Sequence, residues 1–230
     1  MFNTVVIIVA AGQGKRMGAH INKQYLKLLD RPVLAYSLEA FESHPFIQGM
    51  IIVAKEDEIP LCREEILGPY KFSKVMDIVP GGKERQDSVW AGIKALPDEC
   101  ELVVVHDGAR PLITPDIITN THKAARETGA AIAAVPVKET IKRVSLYNNV
   151  IRTIPRQELW SVQTPQVFKK DILVAAYENA HQKGIRGTDD ASLVESIRKE
   201  VKVVMGSYEN IKITTPEDLT LGASILQRRK

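Results

Sequence analysis

The sequence predicts a single α/β domain of the Rossmann-like type, in which a mainly parallel sheet carries helices on both faces. Three observations carry that expectation. Short Val- and Ile-rich runs recur along the chain, with segments whose apolar residues are spaced at three and four between them. The first run breaks into a glycine-rich turn, "AAGQGKRMG" (Ala10–Gly18), and one later stretch switches to period 2 around an Asn-Asn pair. At 230 residues, 44% hydrophobic and 26% charged, the chain is large enough to bury such a sheet on both sides.

Taken in order, Thr4–Ala10, Gln48–Ala54, Lys74–Val79, Leu102–His106 and Ala130–Val135 read as strands buried on both faces, because they are near-continuous apolar runs rather than alternating ones. Val33–Ser43, Glu56–Leu67, Glu84–Ala95 and Pro115–Thr128 carry helical spacing, and Gly129 stands where the last of them should stop. The alternation then breaks at "TIKRVSLYNNVIRTIPR" (Thr140–Arg156), two period-2 segments around Asn148–Asn149. Ile141, Val144, Val150 and Ile154 are too few for a core, and an isolated hairpin is marginal in water, so this one must lie against something. The residues leave open whether that is the chain's own sheet or a partner subunit. Helical spacing returns at Lys170–Gln182 and Asp189–Ile197, a strand follows at Val201–Met205, and a last helix runs from about Pro216 to Gln227, with Thr215 as N-cap and Pro216 at N1.

Composition excludes several functions. A formal charge of +3, with no basic block interleaved with aromatics, argues against nucleic acid. Cys62 and Cys100 stand alone without metal-ligand spacing, which fits a reducing compartment. The apolar run Val5–Ala11 is too short to cross a bilayer and lacks a basic leader, so it reads as a buried strand of a cytoplasmic protein that binds no membrane.

A glycine turn after a buried strand is a place for phosphate, since backbone N–H groups converge there. No G-x-x-x-x-G-K-[ST] occurs, which removes the P-loop. Gly12 and Gly14 followed by Gly18 miss the dinucleotide spacing by one residue. The acidic ribose ligand is also missing, because the second strand ends only near Val53 and Asp30 falls in a turn. What the loop has instead is Lys15, Arg16 and Lys23. Any one of them could be a solvated side chain. Three cations beside a glycine turn suit a triphosphate that loses pyrophosphate, where charge builds up on the leaving group.

Here the sequence resembles the nucleotidyltransferases that form sugar nucleotides. Six further motifs narrow the resemblance: "PGGKERQDSV" (Pro80–Val89), "VHDGARP" (Val105–Pro111), "PVKETIKR" (Pro136–Arg143), "QTPQVF" (Gln163–Phe168), "GTDDAS" (Gly187–Ser192) and "NIKITTPEDL" (Asn210–Leu219). In this order they are similar to the 2-C-methyl-D-erythritol 4-phosphate cytidylyltransferase family, from Val5 to Leu219. The resemblance implies one nucleotidyltransferase domain over 1–230, with 136–158 as a protruding β-hairpin dimerisation arm. It implies transfer of CMP from CTP to methylerythritol phosphate with release of pyrophosphate.

The same resemblance assigns Arg16 and Lys23 to the phosphates and the transition state. It assigns Ala10, Ala11, Gly12, Gly14, Gly82 and Ser88 to the nucleotide, and Asp107 to a magnesium ion. It gives Arg110, Thr140, Arg156, Thr164, Thr188 and Lys212 to the sugar phosphate, and makes the protein a homodimer with composite sites. A phosphate monoester is already ionised at neutral pH, so no general base is required, and His106 reads as structural. Lys83 stands where the family often has an acid. Ribitol 5-phosphate cytidylyltransferase is the nearest rival, sharing "QTPQ" and "NIK" but departing from "VAAG" and "TDDAS". A non-catalytic nucleotide sensor on the same fold is the rival from another class.

Overall fold

The structure is a computed structural model that describes residues 3–12 and 22–229. The strands, in chain order, are β1 (Thr4–Val9), β2 (Lys27–Leu28), β3 (Arg31–Pro32), β4 (Gly49–Ala54), β5 (Val75–Pro80), β6 (Leu102–Asp107), β7 (Ala130–Pro136), β8 (Ile141–Val144), β9 (Val150–Ile154), β10 (Trp160–Lys169) and β11 (Lys202–Met205). The main helices are α1 (Val33–Glu42), α2 (Arg85–Lys94), α3 (Pro115–Thr128), α4 (Lys170–Lys183), α5 (Asp190–Ser196) and α6 (Pro216–Arg228).

Seven strands form one sheet in the order β11-β7-β10-β6-β1-β4-β5. β1 pairs in parallel with β4 and β6, β4 with β5, and β11 with β7. β10 alone runs antiparallel, between β6 and β7. The alternation of side chains sorts each strand between two cores. Val6 and Ile8 of β1 join Leu34, Leu38 and Phe41 of α1 and Ile117 and Ile118 of α3. Val5 and Ile7 turn the other way, to Val89 and Ile93 of α2, Leu173 and Tyr177 of α4, and Leu193 of α5. A smaller cluster of Leu28, Val33 and Ile213 tucks α6 over the short β2–β3 pair.

Most expected elements stand within a residue or two of their sequence bounds. Gly129 closes α3 at φ 93°, a left-handed position that a side chain would strain. Thr215 caps α6 in a reciprocal box with Asp218, with Pro216 in the first turn. Two expectations change. The helix expected at Glu56–Leu67 is segmented into a 3-10 turn (Glu56–Glu58), an α-turn (Ile59–Cys62) and a π-turn (Arg63–Leu67). Pro60 lacks the N–H that would carry a regular ladder through the first junction. The strand β10 has no counterpart in the sequence reading.

The hairpin at 140–156 forms as expected, with Asn148 left-handed at φ 60° in its turn. β8 and β9 make a two-stranded sheet separate from the main one, so the hairpin does not extend the chain's own sheet. Val144, Leu146, Tyr147, Val150 and Ile151 are exposed along it.

Candidate active site

The strands that run parallel to β1 end at one edge, and ligands of open α/β sheets bind there. The site gathers beyond the ends of β1, β4 and β6. Asp107 is the last residue of β6 and is 6% exposed. Its backbone N–H donates to Thr164 Oγ1 at 3.1 Å, where a regular ladder would have offered a carbonyl. On its carboxylate, Oδ2 meets Lys212 Nζ at 2.7 Å and Arg110 Nε at 3.7 Å, and Oδ1 meets Arg85 Nε at 3.4 Å. Burial by itself would raise this acid. Arg85, Lys212 and Arg110 outweigh it and hold the carboxyl well below the usual carboxylate range. Asp107 is therefore an anion at any physiological pH.

His106, fully buried beside it, is accounted for by its neighbours. Nε2 lies 3.1 Å from the Arg110 carbonyl and Nδ1 3.1 Å from Thr164 Oγ1. A carbonyl can only accept, so Nε2 carries the proton and Nδ1 accepts from the Thr164 hydroxyl. Burial depresses the ring to about 4, even with Asp107 adjacent. It is neutral, doubly bonded and structural, as the sequence reading had it.

A cavity of about 380 Å³ opens on the β1 side, lined by Ala10, Ala11, Gly12, Lys23, Gly82, Ser88 and Asp107. Two turns close on each other there. A Cβ on Gly81 would stand 2.5 Å from Ala11 Cβ and 2.9 Å from Ser88 Oγ, so only glycine lets the second turn approach the first. Ser88 Oγ accepts from the Gly82 N–H at 3.2 Å and donates to the Glu84 carbonyl at 3.0 Å, which fixes the Gly81–Gly82 backbone against α2. Gln24 donates to the Ala10 carbonyl and ties the segment carrying Lys23 to the end of β1. Lys55 and Lys83 also line this cavity.

A second cleft lies on the β10 side of Asp107, lined by Arg110, Gln163, Thr164, Thr188 and Lys212. Asn210, fully buried, stitches it together. Its Nδ2 donates to the Thr164 carbonyl at 2.9 Å and to Gln163 Oε1 at 3.2 Å, and its own carbonyl receives Arg110 Nη1 at 2.8 Å. Gln166, 1% exposed in the middle of β10, receives the Ala191 N–H at 3.1 Å and donates to Asp189 Oδ2 at 2.7 Å, which sets the turn bearing Thr188.

Of the residues singled out from sequence, Ala10, Ala11, Gly12, Lys23, Gly82, Ser88, Asp107, Arg110, Thr164, Thr188 and Lys212 line these two adjoining spaces. Thr140 and Arg156 do not join them within one chain. Both are exposed at the base of the hairpin, where Arg156 donates to the Lys138 carbonyl. Gly14, Lys15 and Arg16 lie outside the described residues. Arg85, Gln166 and Asn210 were missed by the sequence reading. Arg85 had a signal: a cation in the first turn of a helix opposes the macrodipole and calls for an acidic partner.

An ionised strand-end carboxylate between a glycine-lined cavity and a hydroxyl-lined cleft, framed by cations, belongs to a nucleotidyltransferase. Comparison with known proteins agrees and goes further. The profile of the 2-C-methyl-D-erythritol 4-phosphate cytidylyltransferase family matches residues 4–228. The enzyme of that name from Desulforamulus reducens is 51% identical over 229 residues, covering 100% of this chain and 98% of the relative. Its counterpart from Alkaliphilus metalliredigens is 52% identical over 225 residues, or 98% and 93% of the two chains. Among solved structures, 4-diphosphocytidyl-2C-methyl-D-erythritol synthase from Anaerococcus prevotii superposes with a TM-score of 0.86 at 33% identity, covering 98% of this chain and 99% of that one. The chain belongs to the 2-C-methyl-D-erythritol 4-phosphate cytidylyltransferase family.

Proposed function

We infer that this chain transfers CMP from CTP to 2-C-methyl-D-erythritol 4-phosphate, releasing pyrophosphate, as a step in isoprenoid precursor synthesis. Family membership over the whole described chain supports the assignment. The observation that carries the chemistry is the placement of Asp107 with Arg85 and Lys212 on the wall shared by the two spaces, Arg110 standing on the cleft side. CTP takes the glycine-lined cavity, with Ala10, Ala11, Gly12, Gly14, Gly82 and Ser88 offering backbone and hydroxyl groups. Methylerythritol phosphate takes the hydroxyl-lined cleft, with Thr164 and Thr188 facing the polyol and Arg110 and Lys212 its phosphate.

An oxygen of that phosphate attacks the α-phosphorus of CTP and pyrophosphate leaves. The attacking group is ionised at pH 7, so the difficulty is to bring an anion up to a polyanion. Arg16 and Lys23 meet the charge that develops on the phosphates, and Lys212 meets the approaching nucleophile. Among the described residues no cluster of three or more potential metal ligands exists, yet magnesium needs only one or two carboxylates plus substrate phosphates. Asp107, held ionised, fits that requirement and would hold the ion. Bound there with the triphosphate, magnesium would neutralise charge on the phosphoryl oxygens.

The exposed apolar residues of the hairpin support a homodimer in which the arm of one subunit reaches its neighbour. Thr140 and Arg156 would then complete the neighbour's site. The reading places the protein in the cytoplasm with small-molecule partners, away from nucleic acid and membrane. The near-neutral charge balance and two free buried thiols support it, and among the described residues no helix is long and apolar enough to cross a membrane. The test is pyrophosphate release from all four nucleoside triphosphates crossed with a panel of polyol phosphates. CTP with methylerythritol phosphate should be fastest; equal or faster turnover with ribitol 5-phosphate would reverse the substrate assignment.

A further inference from the structure

Arg85 sits in the first turn of α2 and lines both the nucleotide cavity and the acceptor cleft. Its guanidinium is held from two sides. In front, Nε faces Asp107 Oδ1 at 3.4 Å; behind, Nη2 donates to Asp190 Oδ2 at 2.8 Å. Asp190 is fully buried, and its other oxygen receives the Tyr177 hydroxyl at 2.5 Å. Tyr177 is in turn stacked on Trp90 of α2, with ring centroids 5.8 Å apart and planes within 5° of parallel. The opposite oxygen of Asp107 is held differently: Lys212 Nζ meets it at 2.7 Å, and Arg110, itself anchored to the Asn210 carbonyl, stays beyond hydrogen-bond reach of it. Lys212 is a single flexible stem whose side chain is 37% exposed, and Arg110 stands at 3.7 Å.

A carboxylate turns easily about its last bond unless both oxygens are fixed. Lys212 and Arg110 supply charge on one side, but the rigid side is Arg85. We propose that Arg85, locked from behind by Asp190 and Tyr177, is the positioning residue that sets the direction of the Asp107 carboxylate. Through it, Asp190, the second acid of "GTDDAS" and the first residue of α5, acts on the strand-end acid of "VHDGARP". A guanidinium suits the task because its planar fork grips two carboxylates at once. The proposal rests on the reading of Asp107 as a group of the reaction centre.

A kinetic double-mutant cycle separates the two claims. Asp190→Asn should lower kcat by roughly 10- to 100-fold, as loss of a group supporting a ligating side chain does, with the KM for CTP changed less than about threefold. In an Asp107→Asn background, followed by single turnover with enzyme in excess, the same change should add less than about twofold. Arg85→Lys keeps the charge but loses the two-sided grip, so it should be as slow as Arg85→Gln. Circular dichroism and Tm confirm that each variant is folded; if Asp190→Asn is not, Tyr177→Phe enters the same cycle with a several-fold loss expected. Losses that multiply in the two backgrounds, or full rescue by Arg85→Lys, overturn the positioning role. Undiminished activity in Asp107→Asn alone overturns the reading of Asp107 itself, and the positioning role with it.

Discussion

The face of the sheet away from the acceptor cleft holds a pH-sensitive element of stability. His122 of α3 is 3% exposed, its Nε2 3.0 Å from Thr4 Oγ1 on β1 and its Nδ1 buried without a hydrogen-bond partner. The ring stacks on Phe46 at 4.7 Å between centroids. Burial, with Arg126 and His44 nearby, depresses it from 6.5 to about 4. Because the folded value is the lower one, the unfolded chain binds the extra proton first, and stability falls as pH drops below about 6.5. Between pH 7 and pH 5 those two values give a loss of about 2 kcal/mol, approaching about 3 kcal/mol below pH 4. His122→Gln keeps an amide near Thr4 and removes the titration. Urea unfolding of both proteins at pH 7 and pH 5 isolates the effect, since the groups common to both largely cancel. The native chain should lose about 2 kcal/mol more than the variant over that interval. Equal losses would mean that the imidazole is not held neutral in the fold, and the reasoning from its burial would fail.

Three predictions concern the reaction. Lys23→Ala should lower kcat by roughly 10²-fold or more while leaving CTP affinity nearly unchanged in calorimetry, because a cation serving developing charge acts on the transition state; a change confined to KM would make it a ground-state binder. EDTA should abolish pyrophosphate release and excess magnesium restore it, whereas Asp107→Ala should stay inactive at any magnesium concentration; full activity in that variant would remove Asp107 from the metal site. Arg16→Ala and Arg156→Ala should each be nearly inactive alone, but refolding a one-to-one mixture should return activity to roughly a quarter of wild type, because a mixed two-fold dimer puts both changes in one site and neither in the other. A mixture shown to contain heterodimers yet no more active than its parents would assign each site to one chain.

The central parallel strands were legible because they are buried on both faces and must be apolar throughout, as Val5–Ile8 and Leu102–Val105 are. By contrast β5, expected from Lys74–Val79 to be buried on both faces, is an edge strand with Met76 and Asp77 exposed. β10 was not legible, for the opposite reason. Its middle reads Gln163, Thr164, Pro165, Gln166, without alternation and with a proline, which argues against a central strand. These polar side chains are buried because they bond to Asn210, His106, Asp189 and the backbone rather than to water. Such partners lie far away in sequence and leave no periodic trace. The candidate site was legible where a motif carries its own backbone, as at Gly82 and Asp107. It was not where one residue acts on another across the fold, as Arg85 does on Asp107 and Asn210 on Thr164.

The irregularity in β10 bears on how far this protein can be stabilised. Against β7 the register passes from Val162↔Ala134 to Gln166↔Ile132, so Gln163, Thr164 and Pro165 stand opposite the single Ala133, and against β6 pairing begins only at Gln166. The ladder is open for three residues at the seam that joins the β5-β4-β1-β6 block to the β7–β11 pair, and Val162, Gln163, Thr164 and Gln166 around the gap line the acceptor cleft. An engineer who deleted the bulge or replaced Pro165 to complete the ladder would gain cohesion across the seam and shift the side chains that line the cleft in the same act. Thermostable variants of this fold should therefore be sought in the helices and the far edge, with this gap in the sheet left as it is.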